Sequence, residues 1–118
     1  MRIVSASEAP ETDNPHGVSA RPLHSSEHVQ VSMITLQPGQ ALKLHSTPVD
    51  AFFYVLEGSG TVEIGDESEG VSKDMLIESP AKIPHRLLNE GNETFRFLVV
   101  KTPRQADPTR LVLSLIHI

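Results

Sequence analysis

KLHSTPVDAFFYVLEGSG, residues 43–60, decides how the chain is to be read. His45 ends one apolar stretch, Thr47-Pro48 makes a turn, and Asp50 opens the unbroken run Ala51 to Leu56, which stops at Glu57-Gly58. Successive residues of a strand point to opposite faces, so Ala51, Phe53 and Val55 share one side and Phe52, Tyr54 and Leu56 the other. Both sets are apolar, so both faces of this strand must be covered.

The same punctuation repeats on either side. Val29, Val31 and Met33 alternate with Gln30 and Ser32 up to the turn Gln37-Pro38-Gly39, and Ala41 to His45 makes the next strand. After Gly58-Ser59-Gly60 come Thr61 to Ile64, a turn at Gly65-Asp66, Met75 to Ile77, Ile83 to Leu88, and Thr94 to Lys101. No stretch sustains a 3.6-residue period, and strands spaced by Gly and Pro predict an all-β sandwich or barrel. Residues 1–27, rich in Pro, Ser, Asp and His with one β-like piece at Arg2 to Val4, read as an arm. Residues 28–101 form the barrel and 102–112 an exit arm. The last six residues, LSLIHI (113–118), read as the translation of a sequencing adapter, CTG-TCT-CTT-ATA-CAC-ATC, so His117 is set aside as a site residue.

Composition narrows the function. A chain of 118 residues supports one domain. A net charge of −5 leaves no basic face to offset phosphate repulsion, which argues against nucleic acid as a partner. There is no cysteine, so thiolate catalysis, disulfides and Cys-type zinc sites are excluded. The start lacks a signal-type apolar segment and no run is long enough to span a bilayer, so a cytoplasmic location without membrane attachment is expected. The apolar outer face, with Leu42 and Leu44 flanking Lys43, predicts a homodimer, which light scattering would read as a dimer mass.

Two windows, Gly39 to Gly58 and Asp74 to Asn89, resemble the two motifs of the cupin superfamily, and the resemblance covers about residues 28–101. It implies a double-stranded β-helix, or jelly-roll, barrel. In the first motif Gly39, His45 and Gly58 match, but Thr47 stands where the family has a second His and Ala51 where it has Glu. In the second, Pro80, His85 and Asn89 match, while Asp74 and Lys82 replace the two glycines. The family implies a divalent metal such as Fe, Mn, Ni or Zn held by three His and one Glu, and this chain keeps two of those positions.

Asp50 is the nearest carboxylate, and with His45 and His85 it would complete a two-His, one-carboxylate triad. Its phase in the strand is outward unless the Pro48 turn rotates it. Lys43, two residues before His45, is expected on the inner face, where its charge would repel a dication. His45 and His85 thus have three readings: metal ligands, polar anchors for an organic ligand, or hydrogen-bonded members of a packed barrel mouth. The main expectation is a small molecule bound in the barrel, with His45, His85, Thr47, Phe53 and Lys43 as contacts and a pocket lined by Phe53, Val55, Phe95 or Phe97. A metal-dependent oxygenase or isomerase using His45, His85 and Asp50, and a sensory or accessory domain, are the alternatives. His16, His24 and His28 read as exposed loop histidines, Arg86 as half of a surface ion pair, and Glu57 and Asn89 as structural.

Overall fold

The computed structural model describes residues 1–106 and 109–112; the LSLIHI segment and its adapter reading lie outside them. Among the described residues ten strands run β1 (Ser19–Ser25), β2 (Gln30–Leu36), β3 (His45–Ser46), β4 (Asp50–Glu57), β5 (Ser59–Ile64), β6 (Glu67–Ser72), β7 (Leu76–Ser79), β8 (His85–Leu88), β9 (Phe95–Thr102) and β10 (Arg110–Leu111). They form two antiparallel five-stranded sheets, β1-β2-β9-β4-β7 and β10-β3-β8-β5-β6. The fold is all-β, and the jelly-roll expectation holds.

The alternation of β4 sets the barrel's interior. Ala51, Phe53 and Val55 are buried inward, while Phe52, Tyr54 and Leu56 are half-buried on the outer side. Across the ladder Phe53 faces Val99 and Val55 faces Phe97. One end of the barrel closes on Leu36, Val55, Leu87, Phe95 and Phe97, each fully buried. Phe95 and Phe97 sit 5.1 Å apart by ring centroid, and Phe53 meets Phe97 edge-on at 6.1 Å, geometries that add to the burial term. Asn89 ties this end together: its side-chain amide donates to the carbonyls of Leu36 and Glu93, and its Oδ1 accepts from the Gly91 N–H.

Three strands fall outside the sequence reading. Ser19–Ser25, within the segment read as an arm, is β1, an edge strand whose register shifts between Pro22 and His24. Proline is tolerated there because an edge strand has a free N–H side. β6, ESEGVS, is exposed along its first four residues and is held by its ladder to β5 and by one apolar side chain, Val71, which enters the core. β10, within the segment read as an exit arm, pairs Leu111 with His45.

The two positions where the second motif has lost its glycines keep the glycine backbone: Asp74 lies at φ 70° and Lys82 at φ 68°. At Asp74, Oδ1 accepts the Tyr54 hydroxyl at 3.1 Å. Lys82 is exposed, so its side chain adds no buried packing. The left-handed region costs an ordinary residue roughly 1–2 kcal/mol, more than the roughly 0.4–1 kcal/mol that glycine's looser unfolded chain takes back. Lys82→Gly should therefore raise stability by about 0.5 kcal/mol or more in urea unfolding. A loss of stability would show that Lys82 is not strained.

Candidate functional site

The open end of the barrel holds a cavity of about 260 Å³. Its walls are mostly apolar, from Ala20, Ile34, Leu42, Ala51, Phe53 and Val99, and its polar groups are led by His16, His45, His85 and Lys101. The volume lies below the range of about 300–1,000 Å³ that suits drug-sized ligands, so it fits a small molecule.

His45 and His85 face each other because β3 and β8 pair at that single register position. Their Nε2 atoms are 3.1 Å apart. The hydrogen bonds around them assign every proton. His45 Nδ1 lies 2.7 Å from the Lys43 carbonyl, which can only accept, so Nδ1 carries the proton and Nε2 is an acceptor. His85 must then donate from Nε2, leaving its Nδ1 to accept from the Ser79 hydroxyl at 2.6 Å. The relay Ser79 to His85 to His45 to the Lys43 carbonyl is complete with both rings neutral. Phe53 closes one side, edge-on to His85 at 5.3 Å.

His16 joins this pair from the arm. Its ring is 4.5 Å from that of His45, and its Nδ1 accepts the backbone N–H of Lys43 at 2.9 Å. Asn14 positions it by accepting the His16 N–H on Oδ1 at 3.0 Å. His16 is therefore not the exposed loop histidine expected, whereas His24 and His28 are exposed. Burial, followed by the neighbouring imidazoles and lysines, lowers the His85 pKa to about 3 and the His16 pKa to about 4. Burial lowers that of His45 as well, against the opposing bond to the Lys43 carbonyl.

Lys43 is not on the inner face. The chain between Ala41, a single bridge to Leu88, and His45 is not a continuous strand, so the two-residue period fails there. Leu42 and His45 both turn inward, and Lys43 is left exposed. The cation in the cavity is Lys101, which the inward phase of Phe95, Phe97 and Val99 could have located. Burial lowers its pKa.

The remaining candidates lie elsewhere. Asp50 is exposed, and its Oδ1 accepts the Ala81 N–H at 2.8 Å, so the Pro48 turn does not rotate it towards the imidazoles. Thr47 is buried, but its hydroxyl donates to the Val49 carbonyl at 3.0 Å and it is not on the cavity wall. Val55, Phe95 and Phe97 belong to the closed core; of the aromatic candidates only Phe53 reaches the cavity. Arg86 pairs with Glu63, and Glu57 with Arg96 at 3.2 Å.

These residues do not fit the metal that the cupin resemblance implies. The other two family positions carry a committed hydroxyl and a methyl group, and the two imidazoles present satisfy each other. Among the described residues no group of three or more His, Cys, Asp or Glu could hold an ion. Lys101 adds a positive charge to the same cavity.

A small jelly-roll barrel with paired histidines at its open end defines the class. The chain belongs to the cupin family: the cupin domain model matches residues 32–101. It is similar to the protein TT1209 from Thermus thermophilus, with 32% identity, TM-score 0.76, and coverage of 87% of this chain and 98% of that one. The polyketide cyclase RemF from Streptomyces resistomycificus shares the fold, at 24% identity and TM-score 0.82 over 96% of this chain and 86% of that one. Auxin-binding protein 1 of Arabidopsis thaliana is 27% identical over 93 residues, 70% of this chain; the chain spans 46% of that relative's length.

Proposed function

We propose that this protein binds a small organic molecule in its barrel mouth, and that His45 and His85, neutral and hydrogen-bonded to each other, form a fixed wall of that site rather than a pair of metal ligands. The observation that carries this reading is the Nε2 to Nε2 contact of 3.1 Å inside an apolar-walled cavity. Every ring nitrogen of the pair already has a protein partner, which suits a preformed site for an uncharged portion of a ligand. The names of two similar proteins, an auxin-binding protein and a polyketide cyclase, are in keeping with small-molecule recognition on this barrel. We further propose that a second copy covers the outward face of β4 and β9, where Phe52, Tyr54 and Leu98 are only half-buried.

Protein purified without an affinity tag and incubated with iron, manganese, nickel and zinc should retain no stoichiometric metal. Small aromatic probes should shift the ring resonances of His45, His85 and Phe53. Stoichiometric metal that is lost in both His45→Ala and His85→Ala would overturn the reading in favour of a metal-dependent oxygenase or isomerase.

A further inference from the structure

We propose that the ligand is a small organic monoanion, a carboxylate in chemical class, and that Lys101 holds its charged end; this rests on the small-molecule reading of the same cavity. Lys101 stands near the end of β9 opposite Gln30 of β2 and Ala51 of β4, and all three line the cavity. Its ammonium donates to Gln105 Oε1 at 2.7 Å. Among the described residues none of the ion pairs involves Lys101, and the cavity wall carries no Asp or Glu. Lys101 is half-buried, and even partial withdrawal of a cation from water without a counter-ion is costly to the fold. A bound anion would supply the missing partner.

The hydrogen-bonding inventory points the same way. The amide oxygens and ring acceptors on the wall are committed. Asn14 Oδ1 accepts from the His16 N–H, Gln30 Oε1 from the Gln105 N–H, His16 Nδ1 from the Lys43 N–H, and His85 Nδ1 from Ser79. His45 Nε2 accepts from His85. Apart from the hydroxyls of Thr12, Ser32 and Thr109, which can donate or accept, what the cavity still offers is donors: the remaining N–H groups of the Lys101 ammonium and, in the tautomer fixed by Lys43, the Nε2–H of His16. An ionised carboxylate accepts only and matches this set, whereas a ligand that presents donors would find few acceptors. One cation suits one negative charge, and the apolar wall around Phe53, Ile34 and Val99 suits a hydrocarbon or aryl body.

The test titrates the protein with benzoate and phenylacetate beside their neutral amides, benzamide and phenylacetamide, by calorimetry and by NMR. Wild type should bind each acid about tenfold or more tighter than its amide, the margin of one charge-assisted hydrogen bond. Lys101→Met should bring the acid's affinity down to that of the amide, and Lys101→Arg should keep the preference. Because Met removes a half-buried charge that no ion pair among the described residues balances, Lys101→Met should melt no lower than wild type, which separates lost recognition from lost folding. Equal binding of acid and amide by wild type, or an acid preference that survives Lys101→Met, overturns the carboxylate assignment and leaves the small-molecule pocket standing. Failure of acids and amides alike to bind at millimolar concentration overturns the pocket and the assignment with it.

Discussion

Acidification from about pH 7 to about pH 5 should lower the unfolding free energy by roughly 3 kcal/mol. The cause is the histidine cluster at the barrel mouth. In the unfolded chain these imidazoles titrate near 6.5. In the folded protein burial first, then the neighbouring imidazoles and lysines, holds His85 at about 3 and His16 at about 4, and burial lowers His45. Between those values the unfolded chain binds protons that the folded chain refuses. The stability contributed by the neutral rings is therefore fully present above about pH 6.5 and is lost as pH falls towards the folded values. Each fully buried imidazole contributes a slope of up to about 1.4 kcal/mol per pH unit. The fully buried His85 carries the largest share, the half-buried His16 less, and His45 adds in the same direction. Charging both rings of the pair is barred outright, because only a single hydrogen fits the 3.1 Å Nε2 to Nε2 contact. Urea midpoints measured across this range decide the matter, and a midpoint that stays flat from about pH 7 to about pH 5 would show that the rings are already charged or solvated in the folded state.

What can be read in advance follows from where side chains, rather than backbone, carry the information. β4 and β9 are legible because short apolar runs, in which every second side chain enters the core, are their reason for being strands. β1 is hidden by Pro22 and its register shift, and β6 by a sequence whose polarity reflects an edge position. The histidine pair is legible through motif spacing, since His45 and His85 keep family positions although 40 residues separate them. Lys101 is within reach too, because the inward phase of Phe95, Phe97 and Val99 runs on to it. Lys43 escapes that same rule, because no continuous strand exists across residues 42–44. His16 has no local signal at all: its place depends on the arm meeting the Lys43 N–H, 27 residues further along the chain. The loss of the two motif glycines obscures a conformation that survives at Asp74 and Lys82, so the residue pattern is looser than the backbone it encodes.

Gly58→Ala should destabilise the protein by about 3–4 kcal/mol, beyond the ordinary range for a single methyl group. Gly58 links β4 to β5 immediately after the register shift between Val55 and Glu57, and its φ of 76° lies in the left-handed region. That conformation alone costs alanine roughly 1–2 kcal/mol. The added Cβ would also be driven into the carbonyl oxygen of Thr94 and would lie 3.3 Å from the Phe95 Cα. The obstacle is backbone rather than a flexible side chain, so relief requires β4 and β9 to separate at the point where Phe95 and Phe97 seal the barrel's closed end. Gly58 also holds β6 in place, since its carbonyl accepts the Lys73 N–H at 3.1 Å, and movement here would disturb both sheets. Gly70, on exposed β6, is the matched control: a Cβ there meets nothing within 4 Å, and Gly70→Ala should stay within about 0.5 kcal/mol of wild type. Urea unfolding of the two variants side by side reads the difference. If Gly58→Ala unfolds with Gly70→Ala, the turn is not pinned against β9, and the first glycine of LEGSG answers to turn chemistry alone rather than to the packing of the barrel.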